Sequence, residues 1–237
     1  MQKSLLYLAL FSVIACSGRM DPVRDLVRDL ERYPEYSLIV DDIRIDDGFS
    51  PDYYLKFQVL TAVGARVAGR DTLTYQERKT DWLQVDSEVF SRYENYVGMV
   101  VAAKGKDGRS TDVRQAHPPG YQYVGNPQYG SWGGGGFWQF YGQYALMRDL
   151  MGGWRVGRND WEGYRRNRER GQPYYGPSTG GKPTFGSRGA QTQKTRPSFY
   201  QRQQQRRQSF TNKVSSRMGQ TQSKSSWGSS RLSRSGK

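Results

Sequence analysis

The segment SLIVDDIRIDDGFSPDYYLKFQVLTAV, residues 37–63, decides the fold. Its first part, Ser37 to Ile45, concentrates Leu38, Ile39, Val40, Ile43 and Ile45, the composition of a strand. Asp46-Asp47-Gly48 and Pro51 then supply residues that favour a turn. From Tyr53 to Val63 the chain alternates: Tyr53, Leu55, Phe57, Val59, Thr61 and Val63 fall on one face, Lys56 and Gln58 on the other. That period of two is the signature of a strand with one buried face.

Outward from this hairpin, residues 72–85 continue the alternation, with Leu73 and Tyr75 between Thr72, Thr74 and Gln76, and predict a third strand. Upstream, DPVRDLVRDLERY places Asp21 as an N-cap and Pro22 at the first helical position. Val23, Leu26, Val27 and Leu30 recur at helical spacing, so a helix over about 22–33 is expected, ended by Pro34. Downstream, Asp86 or Ser87 caps a second helical stripe through Val89, Phe90, Tyr93, Val97, Val100 and Val101, reaching Lys104. The prediction is an α+β domain over 21–117, a small antiparallel three-stranded meander flanked by helices, with one sheet face buried against them. A core of that size is marginal alone, so a later segment is expected to pack on it.

The candidate is the Gly- and aromatic-rich extension, residues 118–170, with turn signals at Pro118-Pro119-Gly120 and Asn126-Pro127 and a flexible run at Gly133 to Gly136. Helices are expected near 136–151 and 159–169, the second capped by Asn159 or Asp160. The aromatics have two readings: completion of the core, or a stacking surface for a glycan or nucleobase made by Trp132, Trp138, Tyr141 and Trp154.

The charge is divided. The chain carries +14 overall, yet residues 1–154 hold 17 Lys/Arg against 19 Asp/Glu, and residues 155–237 hold 19 against 3. Beyond Gly171 there are 13 basic residues and no acid, and from Ser198 the chain is dominated by 11 Ser, 7 Gln and 6 Arg among isolated apolar residues. Residues 171–237 therefore predict a basic disordered tail, because so little apolar surface cannot offset the entropy of ordering. Its cations Arg188, Lys194, Arg196, Arg202, Arg206, Arg207, Lys213 and Arg217, interleaved with aromatic residues, are the candidate polyanion-binding set.

The first residues read MQKSLLYLALFSVIAC. One cation, Lys3, precedes an apolar run from Leu5 to Ala15 that is too short to span a bilayer and suits the core of a secretory signal. The run ends Val13-Ile14-Ala15-Cys16, and here the chain resembles bacterial lipoproteins in their lipobox. That resemblance implies a signal peptide over 1–15 cut between Ala15 and Cys16, lipid on the Cys16 thiol, and a spacer over 16–20. Ser17 after the cysteine, by the same resemblance, favours the outer membrane if the host has two membranes.

One Cys and one His exclude a disulfide framework and a cysteine-histidine zinc site. The glycine run before Phe137 and the pair Gly180-Gly181 before Lys182-Pro183 are not phosphate loops. His117 reads as an exposed loop residue. Asp41, Asp42, Asp46 and Asp47 read as solvated turn carboxylates, since Ile43 and Ile45 stand where a calcium loop needs oxygen ligands. The expectation is therefore a non-enzymatic envelope lipoprotein with no catalytic residue, cofactor or metal, held at the membrane by its lipid. Its tail would contact an anionic envelope component: lipopolysaccharide, anionic phospholipid or another polyanion. The alternative is a ligand-binding or assembly module that uses the aromatic surface and an envelope protein partner. Nucleic-acid binding follows only if the chain is not exported.

Overall fold

The structure is a computed structural model that describes residues 21–47, 50–67 and 70–223. Helix α1 (Pro22–Leu30) is capped by the Asp21 carboxylate, which accepts from the backbone N–H of Val23 and Arg24, each at 3.1 Å. Strands β1 (Tyr36–Asp46), β2 (Asp52–Val67) and β3 (Arg70–Lys79) form the expected antiparallel meander. The sheet is larger than three strands, however. It has six, in the order β3-β2-β1-β5-β6 with β4 (Leu83–Val85) also on β2.

Two predicted elements divide differently. The third strand breaks after Thr80, whose backbone N–H and Oγ1 still engage Phe57 at 2.8 and 3.0 Å, and resumes as β4 beside Tyr53 to Leu55. The long helix predicted from 87 to 104 is only α2 (Ser87–Tyr93), and its second half is strand β5 (Val100–Lys104) on β1. Gly98 makes the switch: its φ of +81° is ordinary for glycine alone, and a Cβ there would sit 3.0 Å from Thr192 Oγ1. The hairpin closes with β6 (Ser110–Thr111).

Both faces of the sheet are covered, not one. Tyr36, Leu38, Val40, Leu55, Phe57 and Val59 pack on α1 and α2. Ile39, Leu60, Val100 and Ala103, at alternate positions, face the other way. Tyr123, Tyr129, Tyr144 and Met147 cover Leu60 there. They come from the extension, which supplies the packing that the small domain needs.

That extension is mostly turns. Its backbone joins the sheet at His117, which exchanges two hydrogen bonds with Val100 at 2.8 and 3.1 Å. The helix predicted over 136–151 begins as a strand: β7 (Gly130–Trp132) pairs with β8 (Trp138–Phe140), and only α3 (Ala145–Leu150) is α-helical. The glycines before Phe137 form the hairpin turn, so the aromatics beyond it alternate across a ribbon. Helix α4 (Arg158–Glu169) lies where expected, but its N-cap is Gly157.

The tail from Gly171 is not disordered over its described length. A short hairpin of β9 (Ser178–Thr179) and β10 (Lys182–Pro183) is followed by α5 (Ala190–Thr195) and α6 (Pro197–Ser223). Tyr174, Phe185 and Phe199 are buried in the same core as α1 and α2. Polar side chains also satisfy sheet-side backbone: the Val97 N–H donates to Ser187 Oγ at 3.1 Å, and Thr192 Oγ1 donates to the Val97 carbonyl at 3.3 Å. Three well-placed rings and these bonds outweigh a polar average composition. Residues 224–237 of the predicted tail lie outside the described residues.

Candidate polyanion interface

Helix α4 positions the densest cationic surface. Its sequence, with Arg155 just ahead of it, carries Arg158, Arg165, Arg166, Arg168 and Arg170 against Asp160, Glu162 and Glu169. Three of these guanidiniums lie on aromatic faces: Arg155 over Phe137 at 4.1 Å, Arg158 over Trp132 at 4.6 Å and Arg165 over Trp161 at 5.1 Å. Trp132 and Trp161 meet edge to face at 5.8 Å, so two of the stacks are continuous. A guanidinium stacked on a ring keeps its N–H edge turned outward, which is the edge that grips a phosphate or carboxylate. Arg155, Arg166 and Arg170 also border a groove of about 620 Å³ with Trp154 and Tyr174 in its wall. The acids that accompany them, Glu162 beside Arg166 at 4.0 Å and Glu169 beside Arg165 at 3.6 Å, form exposed pairs of the kind that contribute little.

Asp160 is the third acid, and it does not cap the helix as the sequence suggests. Tyr121 Oη and Tyr174 Oη each donate to its carboxylate at 2.6 Å, and Trp154 Nε1 donates at 3.2 Å. The same charge that organises these rings pushes the Tyr121 phenol well above its ordinary range, after burial, which is the larger cause. Asp160 thereby ties α4 to the extension and to residue 174 of the tail. No sequence signal marks it, because its partners are 39, 14 and 6 residues away.

The four residues of the predicted stacking surface are divided: Trp138 is core, and Trp132 and Trp154 are half-buried against it. Trp138 is buried against Trp132, whose ring meets it edge-on at 5.3 Å, and Trp154 packs on Phe185 while bonded to Asp160. Tyr141 alone of the four is exposed, at 45%.

The predicted cationic tail is also redistributed. Arg196 is mostly covered: its Nε donates to the Asp41 carbonyl at 2.9 Å, and its Nη2 donates to Gln58 Oε1 at 3.2 Å. Arg202 pairs with Asp42, and Arg206 with Asp47 at 3.2 Å. Asp41, which also holds Lys79 at 3.1 Å, is the extra residue of a bulge in β1. Asp41 and Asp42 are thus anchors for the tail and not solvated turn groups, whereas Asp46, paired with Arg44 at 3.0 Å, and Asp47 are exposed as the sequence suggests. Arg188, Lys194 and Arg207 are exposed. Lys213 and Arg217 lie further along α6. Ala15 and Cys16 lie outside the described residues.

His117 is buried, with 2% of its surface exposed, and not a loop residue in solvent. Burial lowers its pKa to about 4, so the ring is neutral at pH 7. Its Nδ1 donates to the Gln115 carbonyl at 3.0 Å. Glu35, 1% exposed, accepts from Tyr75 Oη at 2.9 Å and Tyr129 Oη at 2.8 Å. Sequence spacing gave no sign of either.

No family model, curated protein or solved structure matches the chain.

Proposed function

We propose that the protein is a non-enzymatic bacterial envelope lipoprotein, tethered through lipidated Cys16, that holds an anionic envelope component by electrostatic capture. The supporting observation is the set of three arginines on and next to α4, Arg155, Arg158 and Arg165, each laid on an aromatic ring, with Arg155 also at the mouth of the groove. This moves the weight of the contact from the tail to α4, because Arg196 and Arg202 are held by the mostly covered Asp41 and Asp42, whereas the pair of Arg165 with Glu169, like that of Arg206 with Asp47, is exposed and contributes little. Pre-stacked cations lose less side-chain freedom on binding than free ones. Each basic residue near an anionic lipid surface contributes about 1 kcal/mol, so three together amount to about a hundredfold in affinity.

The test is binding of the full chain to lipopolysaccharide and to phosphatidylglycerol vesicles across a salt series. Replacing Arg155, Arg158 and Arg165 with Ala is expected to weaken binding about a hundredfold and to flatten its salt dependence. Replacing Arg202 and Arg206 with Ala is expected to change it less than about twofold. The reverse ranking would refute the α4 interface. Metabolic labelling with a clickable fatty acid, present in the wild type and absent in Cys16→Ser, tests the tether separately.

A further inference from the structure

A second recess lies between the β5–β6 hairpin, the turns after His117 and the Tyr164–Arg168 side of α4. It encloses about 340 Å³, within the range of small-molecule sites. Tyr123 and Tyr164 form part of its wall, and the hydroxyls of both are buried without a hydrogen-bond partner among the described residues. Ser37 and Gln122 near the first, and Arg168 near the second, approach these phenols closely enough to act on them as donors, but none meets them with the distance and angle of a formed hydrogen bond. Buried hydroxyls are ordinarily satisfied, and two unsatisfied ones in a single wall are unusual.

The remaining lining has a consistent chemistry. With Nδ1–H of His117 committed to the Gln115 carbonyl, Nε2 carries the ring's lone pair and faces Gln122 Oε1, another acceptor, at 3.4 Å, the Gln122 N–H donating to Ser37 Oγ instead. Arg168 has no carboxylate within ion-pair distance among the described residues. The acid on the rim, Asp107, is exposed and occupied by Arg109. Lys106 adds a second cation at the mouth, bonded to Gln128 at 2.5 Å. The recess thus offers positive charge, unpaired hydroxyls, a hydrogen-bond acceptor and flat aromatic walls in one small volume.

We infer that this recess binds a sugar-sized hydroxylated anion, its carboxylate or phosphate held by Arg168 and its hydroxyl groups meeting Tyr123, Tyr164 and His117. Aromatic walls suit the C–H faces of a sugar ring, and the arginine supplies the charge-assisted bonds that orient it. This site is separate from the α4 groove and does not depend on the polyanion reading.

The experiment is calorimetric titration of the full chain with glucuronate, glucose 6-phosphate, glucose and inorganic phosphate. At least one of the two acidic sugars is expected to bind with a Kd of about 1 mM or tighter, and glucose at least about tenfold more weakly. Which of the two binds better separates a carboxylate ligand from a phosphate one. Arg168→Gln is expected to reduce affinity at least about tenfold. Tyr164→Phe is the diagnostic variant: it should weaken binding about fivefold or more yet leave the melting temperature unchanged or raised, since it removes an unpaired buried hydroxyl. Absence of binding by both acidic sugars would overturn the inference. So would equal binding of glucose, equal binding of inorganic phosphate and glucose 6-phosphate, or a Tyr164→Phe variant that melts lower and binds unchanged.

Discussion

On the sheet side of the molecule, Leu38, Val40, Leu55, Phe57 and Val59 are buried with no side-chain polar atom to satisfy. On the side built from residues 118–199, Tyr121, Tyr174 and Trp154 each bring one polar atom into the interior, and all three converge on Asp160. The first arrangement tolerates any apolar side chain of similar volume; the second depends on one carboxylate. A chain rich in Tyr and Trp therefore needs few aliphatic residues, provided that it places an acid where the hydroxyls meet. This is how a sequence only 35% apolar builds a covered sheet.

The largest test of that contrast is truncation after Arg170. A disordered tail would cost nothing. Loss of buried Tyr174, Phe185 and Phe199, at roughly 1.5–3 kcal/mol each, predicts destabilisation on the order of 5–9 kcal/mol by urea denaturation. Next comes Asp160→Ala, which strands two phenols, while the Trp154 indole N–H keeps Tyr121 Oη at 3.1 Å, and is expected to cost about 3–5 kcal/mol, comparable with Phe57→Ala on the sheet side. Asp160→Asn keeps an acceptor and should recover at least half. A cost below about 1 kcal/mol for Asp160→Ala would mean that the rings pack without it.

A pH titration isolates the residue where the two regions join. The folded pKa of His117 is about 4, below the ordinary 6.5, so the unfolded chain binds the extra proton between those values. Its contribution is present above pH 6.5 and is lost as pH falls toward 4, about 3 kcal/mol in all. Denaturation midpoints measured from pH 7 to 4 should show this slope, and His117→Gln should remove it. The smallest effect belongs to the double variant Arg202→Ala, Arg206→Ala. Its half-exposed pairs predict less than about 1 kcal/mol each, so a larger loss would make charge, and not the buried rings, the fastener of the tail.

Local pattern made part of this legible. α1, β1 and β2 are readable because capping, turn residues and periodicity agree, and α4 is readable in place although its cap is Gly157 and not Asn159 or Asp160. The helical stripe through Val97, Val100 and Val101 misleads because three valines fit a strand equally well, and only the positive φ of Gly98 separates the two. The described tail escapes because averaging over Ser and Gln hides Tyr174, Phe185 and Phe199, each decisive through contacts with distant residues. The candidate site was half visible: the arginines of α4 stand in the sequence, but their ring partners Trp132 and Phe137 are set by a hairpin that the glycine run disguised.

The ion pairs between tail and sheet also set an order of events. Arg196, Arg202 and Arg206 reach acceptors 155, 160 and 159 residues earlier in the chain. Contacts of such separation form late, after loop closure has been opposed by entropy. A chain that emerges amino end first can thus assemble its strands early, but the bulge at Asp41 stays open until residue 196 arrives. Completion of this fold is therefore timed by a segment late in the chain, and until it arrives the bulge of β1 lacks the cover that Arg196 supplies.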